Sequence, residues 1–359
     1  MRLLLLLATL FAASAAKIQG YPAIFYGSEL LDGNKWQFND SNLVVSVAVS
    51  SNVNAGFISV QKDSKTGPIQ LPALLQGKSF VQFTAGPYLS FSISKNSYDV
   101  SAAQDIVFYV YPQINGVNRT VIALPPSGQN FTISDNSSLV VLNPIANVNT
   151  TQQPIVVSSI DVRSGSSIAV NSYYTNIQFP IFSVTNQTTV HYKNTNVYGS
   201  VIEVLPSSGT QGSVVIGAST SNSLGGPATR TVQIDDSGIV MSPLYGSPDP
   251  QPSQHNIQVN LHSNGKKRVH FSVTLVSVDT KNGVLTITNG DKSNSVKYNS
   301  GIPITRFSIP KGIYGKNLNI TYTGQVNNKG FLLQFSVEKG AASISALFVA
   351  VFAVVYSLF

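Results

Sequence analysis

Short runs of alternating apolar and polar residues, or of Val, Ile, Phe and Tyr, recur along most of the chain. A period of two places successive side chains on opposite faces of a strand, and Gly, Pro, Asn, Asp or Ser bound most of the runs. The strands predicted in this way are 43–49, 57–60, 80–83, 88–93, 106–111, 138–142, 155–160, 214–216, 269–278, 284–288, 318–322 and 331–337. The pattern predicts an all-β fold of tandem antiparallel β-sandwich domains.

Two Asn-Gly pairs, at Asn264-Gly265 and Asn282-Gly283, stand between predicted strands. Asn-Gly is the dipeptide that two-residue hairpin turns prefer, because both of its residues tolerate a positive φ. We expect both pairs to form such turns.

Residues 242–255 (SPLYGSPDPQPSQH) contain four prolines within ten residues. Proline cannot donate to a sheet ladder and favours extended, stiff backbone, so this segment is predicted to be a linker. A second, weaker boundary lies within residues 113–129. The expected domains are a β-sandwich at 17–114, a second β-rich domain at 115–241 and a β-sandwich at 256–338.

Residues 1–16 have the layout of a secretory signal peptide. Arg2 supplies the charge, residues 3–11 supply an apolar core, and the small residues 12–16 supply a cleavage site. We expect the chain to enter the secretory route, which keeps it away from nucleic acid.

Residues 340–359 form an apolar tail with no basic residue after it. Gly340 and the two alanines that follow it are small enough for attachment of glycosylphosphatidylinositol (GPI), with the apolar run from Ala346 removed. A membrane-spanning helix is the alternative, because the polar spacer is short and about 20 apolar residues suffice to span a bilayer. In both interpretations the protein lies at the extracellular face of the plasma membrane.

The chain has no cysteine, and only 10% of its residues are charged. Its stability must therefore come from packing and hydrogen bonds rather than disulfides, and thiol catalysis is excluded. N-linked glycans would supply solubility in the secretory route. Acceptor triplets for them begin at Asn39, Asn118, Asn130, Asn136, Asn149, Asn186 and Asn319.

Positive charge is concentrated near the C-terminus. Residues 251–338 hold ten Lys or Arg against three acidic residues, a net charge of +7, whereas residues 17–250 hold ten against twelve, a net charge of −2. Lys266, Lys267 and Arg268 form the densest group. They predict a patch that binds an anionic glycan or membrane surface, although charges of this kind also keep a sandwich soluble and stop its edges from pairing.

Three segments near the C-terminus follow one another as strands and turns: residues 271–279 (FSVTLVSVD), 282–290 (NGVLTITNG) and 330–335 (GFLLQF). Their order resembles that of CUB domains, and with the end signals the chain resembles the CUB-like secreted and surface proteins of nematodes. The resemblance implies a β-sandwich ectodomain without known catalysis, linked to epithelial stress and pathogen responses. This chain lacks the family's usual cysteines and most of the acidic residues of its calcium sites, so no calcium site is expected.

The case for an enzyme is weak. Asp235-Asp236-Ser237-Gly238 is similar to the Asp-Ser/Thr-Gly loop of aspartic proteases, but that chemistry needs two such loops and the chain has one. Turn formation is the simpler interpretation. The four histidines, at 191, 255, 262 and 270, have no spacing that signals a metal site, so no metal or cofactor is expected.

The sequence therefore predicts a non-catalytic, glycosylated cell-surface binding protein, which by resemblance acts in epithelial innate defence or stress response. Two alternatives stay open. The low charge and abundant Ser and Asn also suit a structural component of an extracellular matrix or coat, and a divergent secreted hydrolase would need a cleft with convergent carboxylates or histidines.

Overall fold

The structure is a computed structural model that describes most of the chain between residues 20 and 339. The described residues are 20–30, 36–50, 55–93, 105–114, 116–144, 154–163, 165–174, 177–185, 195–207, 209, 211–218, 227–242, 245, 255–264, 268–279, 283–290, 295–299, 304–309, 312–324 and 330–339. Within them, no helix is long and apolar enough to cross a membrane.

The regular secondary structure of the described residues is almost entirely β-strand, which confirms the predicted fold class. A 3₁₀ turn at Gly27–Leu30 and one helix, α1 (Leu71–Leu75), interrupt the strands. Every strand predicted from the sequence is present with nearly the predicted limits. In chain order the strands are β1 (Ala23–Tyr26), β2 (Trp36–Phe38), β3 (Leu43–Val49), β4 (Ile58–Gln61), β5 (Ile69–Gln70), β6 (Phe80–Ala85), β7 (Leu89–Ile93), β8 (Ile106–Pro112), β9 (Asn118–Ala123), β10 (Gln129–Ile133), β11 (Ser137–Leu142), β12 (Ile155–Val162), β13 (Ser167–Tyr174), β14 (Ile177–Thr185), β15 (Thr195–Val197), β16 (Val201–Pro206), β17 (Gly212–Ala218), β18 (Pro227–Val232), β19 (Ser237–Met241), β20 (His255–Ser263), β21 (Val269–Asp279), β22 (Val284–Asn289), β23 (Ser295–Tyr298), β24 (Ile304–Ser308), β25 (Ile313–Gly315), β26 (Asn317–Gly324) and β27 (Gly330–Lys339).

These strands form six sheets, which we label A to F. Their strand orders are β1-β8-β3-β6 in A, β2-β7-β4-β5 in B, β14-β13-β16-β11-β9 in C, β10-β17-β12-β15 in D, β19-β27-β21-β24 with β25 beside β21 in E, and β18-β20-β26-β22-β23 in F. Most neighbouring strands are antiparallel, but β9 runs parallel to β11 and β18 runs parallel to β20.

The chain divides into two compact units, each built mainly of a continuous part of the sequence. The first unit comprises residues 1–156, 161–186 and 198–221, and the second comprises 157–160, 187–197 and 222–359. The first unit therefore includes both the sandwich expected at 17–114 and much of the domain expected at 115–241.

The two central strands of sheet A, β3 and β8, are buried on both faces. In β8, Ile106, Phe108 and Val110 belong to the core shared with sheet B, whereas Val107, Tyr109 and Tyr111 belong to a second core shared with sheet C. All six of these side chains are buried. The continuous apolar run of β8 is thus the pattern of a strand with no solvent face.

Aromatic rings fill the core between sheets A and B. The Phe25 ring stacks on Trp36 at a centroid distance of 4.3 Å and on Phe108 at 4.7 Å. Phe91 meets the edges of Phe25 and Phe108 at 5.0 Å each. Stacked and edge-to-face pairs of this kind stabilise a core beyond the area that they bury.

The second unit holds a sandwich of sheets E and F around its own core. The long strand β21 alternates buried and half-buried residues, as predicted for a strand with one solvent face. Strand β18 pairs with β20, and β19 pairs with β27. Strands that precede the Pro-rich segment 242–255 in the sequence belong to the same two sheets as strands that follow it. This segment is therefore a connection within the second sandwich.

The two Asn-Gly pairs do not form hairpins, so that prediction was wrong. Strand β20, before Asn264, lies in sheet F, and β21, after it, lies in sheet E; β22, after Gly283, returns to sheet F. A two-residue hairpin requires its flanking strands to be ladder neighbours. The chain crosses from sheet F to sheet E between β20 and β21, and returns to sheet F between β21 and β22.

Candidate functional site

The register of sheet E brings basic side chains to one end of the second sandwich. Val269, the first residue of β21, pairs with Gly315 on one side and with Lys339, the last residue of β27, on the other. Arg268 directly precedes Val269, and Lys316 directly follows Gly315. Both therefore lie at the same end of the sheet as Lys339. We call Arg268, Lys316 and Lys339 the basic end; all three are exposed.

Strand β20 also ends beside the basic end. The Ser263 backbone N–H donates to the carbonyl of Lys316 at 2.8 Å, and His262 pairs with Asn317 in the ladder. The chain from Asn264 to Arg268 therefore begins and ends beside the basic end. Lys266 and Lys267, predicted with Arg268 to form a patch, lie in that connection but outside the described residues.

Acidic groups also occur near the basic end, so its charge is not uniform. Glu338 is exposed and lies 3.2 Å from Nδ1 of His270. Asp235 is exposed, and its backbone N–H donates to the carbonyl of Val337 at 2.7 Å. These acids reduce the local positive charge.

The Asp235-Asp236 segment forms a turn between β18 of sheet F and β19 of sheet E. Asp235 takes a left-handed φ of 70°, and a carboxylate oxygen of Asp236 accepts a hydrogen bond from the backbone N–H of Gln233 at 2.8 Å. The guanidinium of Arg230 lies over the Phe335 ring at 5.7 Å from its centroid. Burial lowers the pKa of Arg230, and the negative charge of Asp236 opposes that shift.

The two histidines whose side chains the structure describes, His262 and His270, lie on different sheets. His262 is on sheet F, where Nδ1 lies 2.5 Å from the side-chain oxygen of Asn317, and His270 is on sheet E beside Glu338. Among the residues that the structure describes, no three His, Asp or Glu side chains are grouped as metal ligands would be.

The predicted glycosylation sites occupy different environments. Asn39, Asn118, Asn130 and Asn136 are exposed, whereas Asn319 is half-buried on β26, which pairs with strands on both sides. Asn149, Asn186 and the expected GPI attachment residue Gly340 lie outside the described residues. Glycosylation at all seven positions stays a prediction.

A buried ionic cluster in the first unit was not predicted from the sequence. Glu203 on β16 is 1% exposed, and its carboxylate lies 3.4 Å from Nη2 of Arg119 on β9. The hydroxyl of Tyr173 donates to the same carboxylate, and Nε2 of Gln178 donates to it at 3.5 Å. Burial raises the pKa of Tyr173, and its bond to Glu203 raises it further, so the phenol stays protonated as the donor.

Arg119 is also held by aromatic rings. Its guanidinium lies 5.0 Å from the centroid of Tyr111 and 6.0 Å from that of Tyr109, and its Nε donates to the hydroxyl of Ser138 at 3.4 Å. The sequence did contain a signal for this cluster. Glu203 stands inside the apolar run Val201 to Leu205, and a lone carboxylate in such a run is expected to be buried with a partner.

An open cleft of about 500 Å³ adjoins Arg119. It lies where the end of β8 and the start of β9 meet β3 and β6, and its lining includes Gln82, Phe83, Tyr111, Asn118 and Arg119. This volume is within the range of small-molecule sites.

Comparisons with known proteins identify no family. No family model matches the chain, and no curated protein matches it. Solved structures give weak matches at 9% identity: the CUB1-EGF-CUB2 domains of human MASP-1/3, with a TM-score of 0.24 over 59% of this chain and 94% of that one, and a DUF4785 family protein from Legionella pneumophila, with 0.21 over 90% and 81%. A tryptic core variant of Bacillus thuringiensis Cry1Da matches with 0.22 over 92% of this chain and 54% of that one, again at 9% identity. Similarity at these scores carries no argument about function.

Replacing Asp236 by Asn keeps the side-chain shape and an oxygen that accepts from Gln233, while it removes the charge. We expect the variant to lose at most about 1 kcal/mol of unfolding free energy, as measured by chemical denaturation. Asp236→Ala removes the acceptor and should cost more. Acid-dependent peptide cleavage by the purified protein that is lost in a fully folded Asp236→Asn variant would contradict the interpretation of this segment as a turn alone.

Proposed function

We propose that this chain is a non-catalytic, glycosylated binding protein of the outer cell surface, and that its second sandwich contacts anionic headgroups of the membrane. The register at the basic end carries the proposal. Strand β21 begins there and β27 ends there at Lys339, and the apolar tail starts with the next residue. A tail that enters the membrane from Gly340 would hold the basic end against lipid headgroups.

The charges at this end suit such a contact. A basic side chain near an anionic membrane surface contributes about 1 kcal/mol, and the attraction falls off within about 8 Å at physiological ionic strength. Only cations close to the entry point of the tail therefore matter. Arg268, Lys316 and Lys339 meet that condition by register. Lys266 and Lys267 directly precede Arg268 in the sequence, so we include them in the proposed contact.

A role in epithelial defence or stress response is part of this proposal and rests on the CUB-like resemblance alone. The two alternatives make different demands. A matrix or coat component would self-associate, and a hydrolase would show turnover. Neither is favoured by a particular contact among the described residues.

Phosphatidylinositol-specific phospholipase C should release the protein from intact cells, because a GPI-linked chain is held only by its lipid. Immunoblotting of the supernatant measures the release. A reporter with an established GPI anchor is the positive control. If the reporter is released and this protein stays on the cells, the tail is a spanning helix and GPI attachment at Gly340 is wrong.

The soluble chain 17–339 should bind vesicles that contain a sulfated galactosylceramide more tightly than vesicles with the uncharged galactosylceramide. Replacing Lys266, Lys267 and Arg268 together by Ser should weaken this binding by about 100-fold, since three contributions of about 1 kcal/mol are lost. Vesicle co-sedimentation at two salt concentrations measures both effects, and the binding should weaken as salt increases.

A matched control replaces Lys65, Lys78 and Arg163 by Ser. These residues are exposed in the first unit, and their loss changes the net charge by the same amount. If both triple variants weaken vesicle binding equally, the binding depends on net charge and not on the basic end, which would contradict the proposal. Binding to soluble heparan sulfate but not to the vesicles would assign the patch to a glycan partner instead.

A further inference from the structure

The cleft beside Arg119 lies in the first unit and is independent of the proposed membrane contact. Among the described residues that line it, Arg119 alone carries a formal charge; the other side chains in this set are amides, hydroxyls and apolar groups. We propose that this cleft binds a sugar residue that carries a carboxylate.

The guanidinium has donors to offer. Among the described residues, Arg119 contacts Ser138, Glu203 and the rings of Tyr109 and Tyr111. A guanidinium has five N–H donors in a fixed fork, so these contacts leave donors unused. Its side chain is 19% exposed, and Arg119 is one of the residues that line the cleft.

The ion pair with Glu203 decides which anion fits. Arg119 and Glu203 together have no net charge, so a ligand with two negative charges would be repelled by the carboxylate behind the guanidinium. A ligand carboxylate has a single charge and a planar shape that matches the fork of an arginine. Phosphate monoesters are therefore expected to bind less well than carboxylates.

The same ion pair fixes the position of Arg119 before a ligand arrives. Glu203 is held by Tyr173 and Gln178, and the guanidinium of Arg119 lies over the Tyr111 ring. A side chain that is already ordered loses little entropy on binding, which favours affinity.

The rest of the lining suits a ring that bears hydroxyl groups. Thr84 and Gln113 supply a hydroxyl and an amide that can donate or accept hydrogen bonds. Nε2 of Gln82 already donates to the hydroxyls of Ser46 and Tyr111, so Gln82 offers its amide oxygen as an acceptor. Ile114 and Val117 are 56% and 46% exposed, which is unusual for side chains of their size, and they border the cleft. They offer an apolar surface to the C–H face of a sugar.

The test compares the methyl glycoside of glucuronic acid with methyl glucoside, which lacks the charge, and with glucose 6-phosphate. The protein is the soluble chain 17–339 carrying Thr120→Ala, which removes the glycan acceptor at Asn118 without changing a lining residue. Isothermal titration calorimetry, with saturation-transfer NMR for weak binding, measures affinity. We expect the glucuronide to bind at least 10-fold more tightly than either comparison ligand.

Arg119→Gln should weaken glucuronide binding at least 10-fold and abolish the preference over the glucoside. Arg163→Gln is the matched control, because Arg163 is exposed in the same unit and bonds to Gln211 away from the cleft. If Arg119→Gln does not fold, Ile114→Ser and Val117→Ser test the same site at exposed positions and should weaken binding several-fold. Equal binding of glucuronide and glucoside would overturn the proposal. Glucuronide binding that is unchanged in a folded Arg119→Gln variant, or in the Ile114→Ser and Val117→Ser variants, would also overturn it. So would the absence of binding by every probe.

Discussion

The burial of the central strands of sheet A, β3 and β8, on both faces is the constraint on which the first unit depends. Odd and even positions of β8 enter different cores, one shared with sheet B and one with sheet C. The hydroxyl of Tyr26 also bonds to the Ser200 hydroxyl at 2.7 Å, which joins β1 to the chain just before β16. The chain has no cysteine, so this double burial stabilises the first unit without disulfides.

The candidate ligand cleft follows from the same packing. Tyr109 and Tyr111 lie on the sheet C side of β8, and they form the surface on which Arg119 rests. Glu203 is buried there only because Arg119 and Tyr173 accompany it; a buried charge without partners would cost several kcal/mol. The interface that holds the unit together therefore also positions the one charged side chain of the cleft.

The period of the sequence predicted the strands but not their partners. Alternation at β21 gives its buried face, yet the same alternation fits any neighbour, so the pairing of Val269 with Lys339 could not be predicted. The Asn-Gly pairs predicted hairpins because a dipeptide indicates a turn but does not show whether the strands on either side of it are partners. Here those strands belong to different sheets. The positive charge near the C-terminus could be counted from the sequence, but its grouping at one end required the register.

Hydrogen exchange of the intact protein tests the two-sided burial most directly. The amides of Val47 and Phe108 on sheet A, and of Val141 and Ile202 on sheet C, should open with the same free energy and respond equally to added denaturant, because neither sheet can leave the shared core alone. The account would be contradicted if the sheet A amides open together at a lower free energy than the sheet C amides, which stay protected.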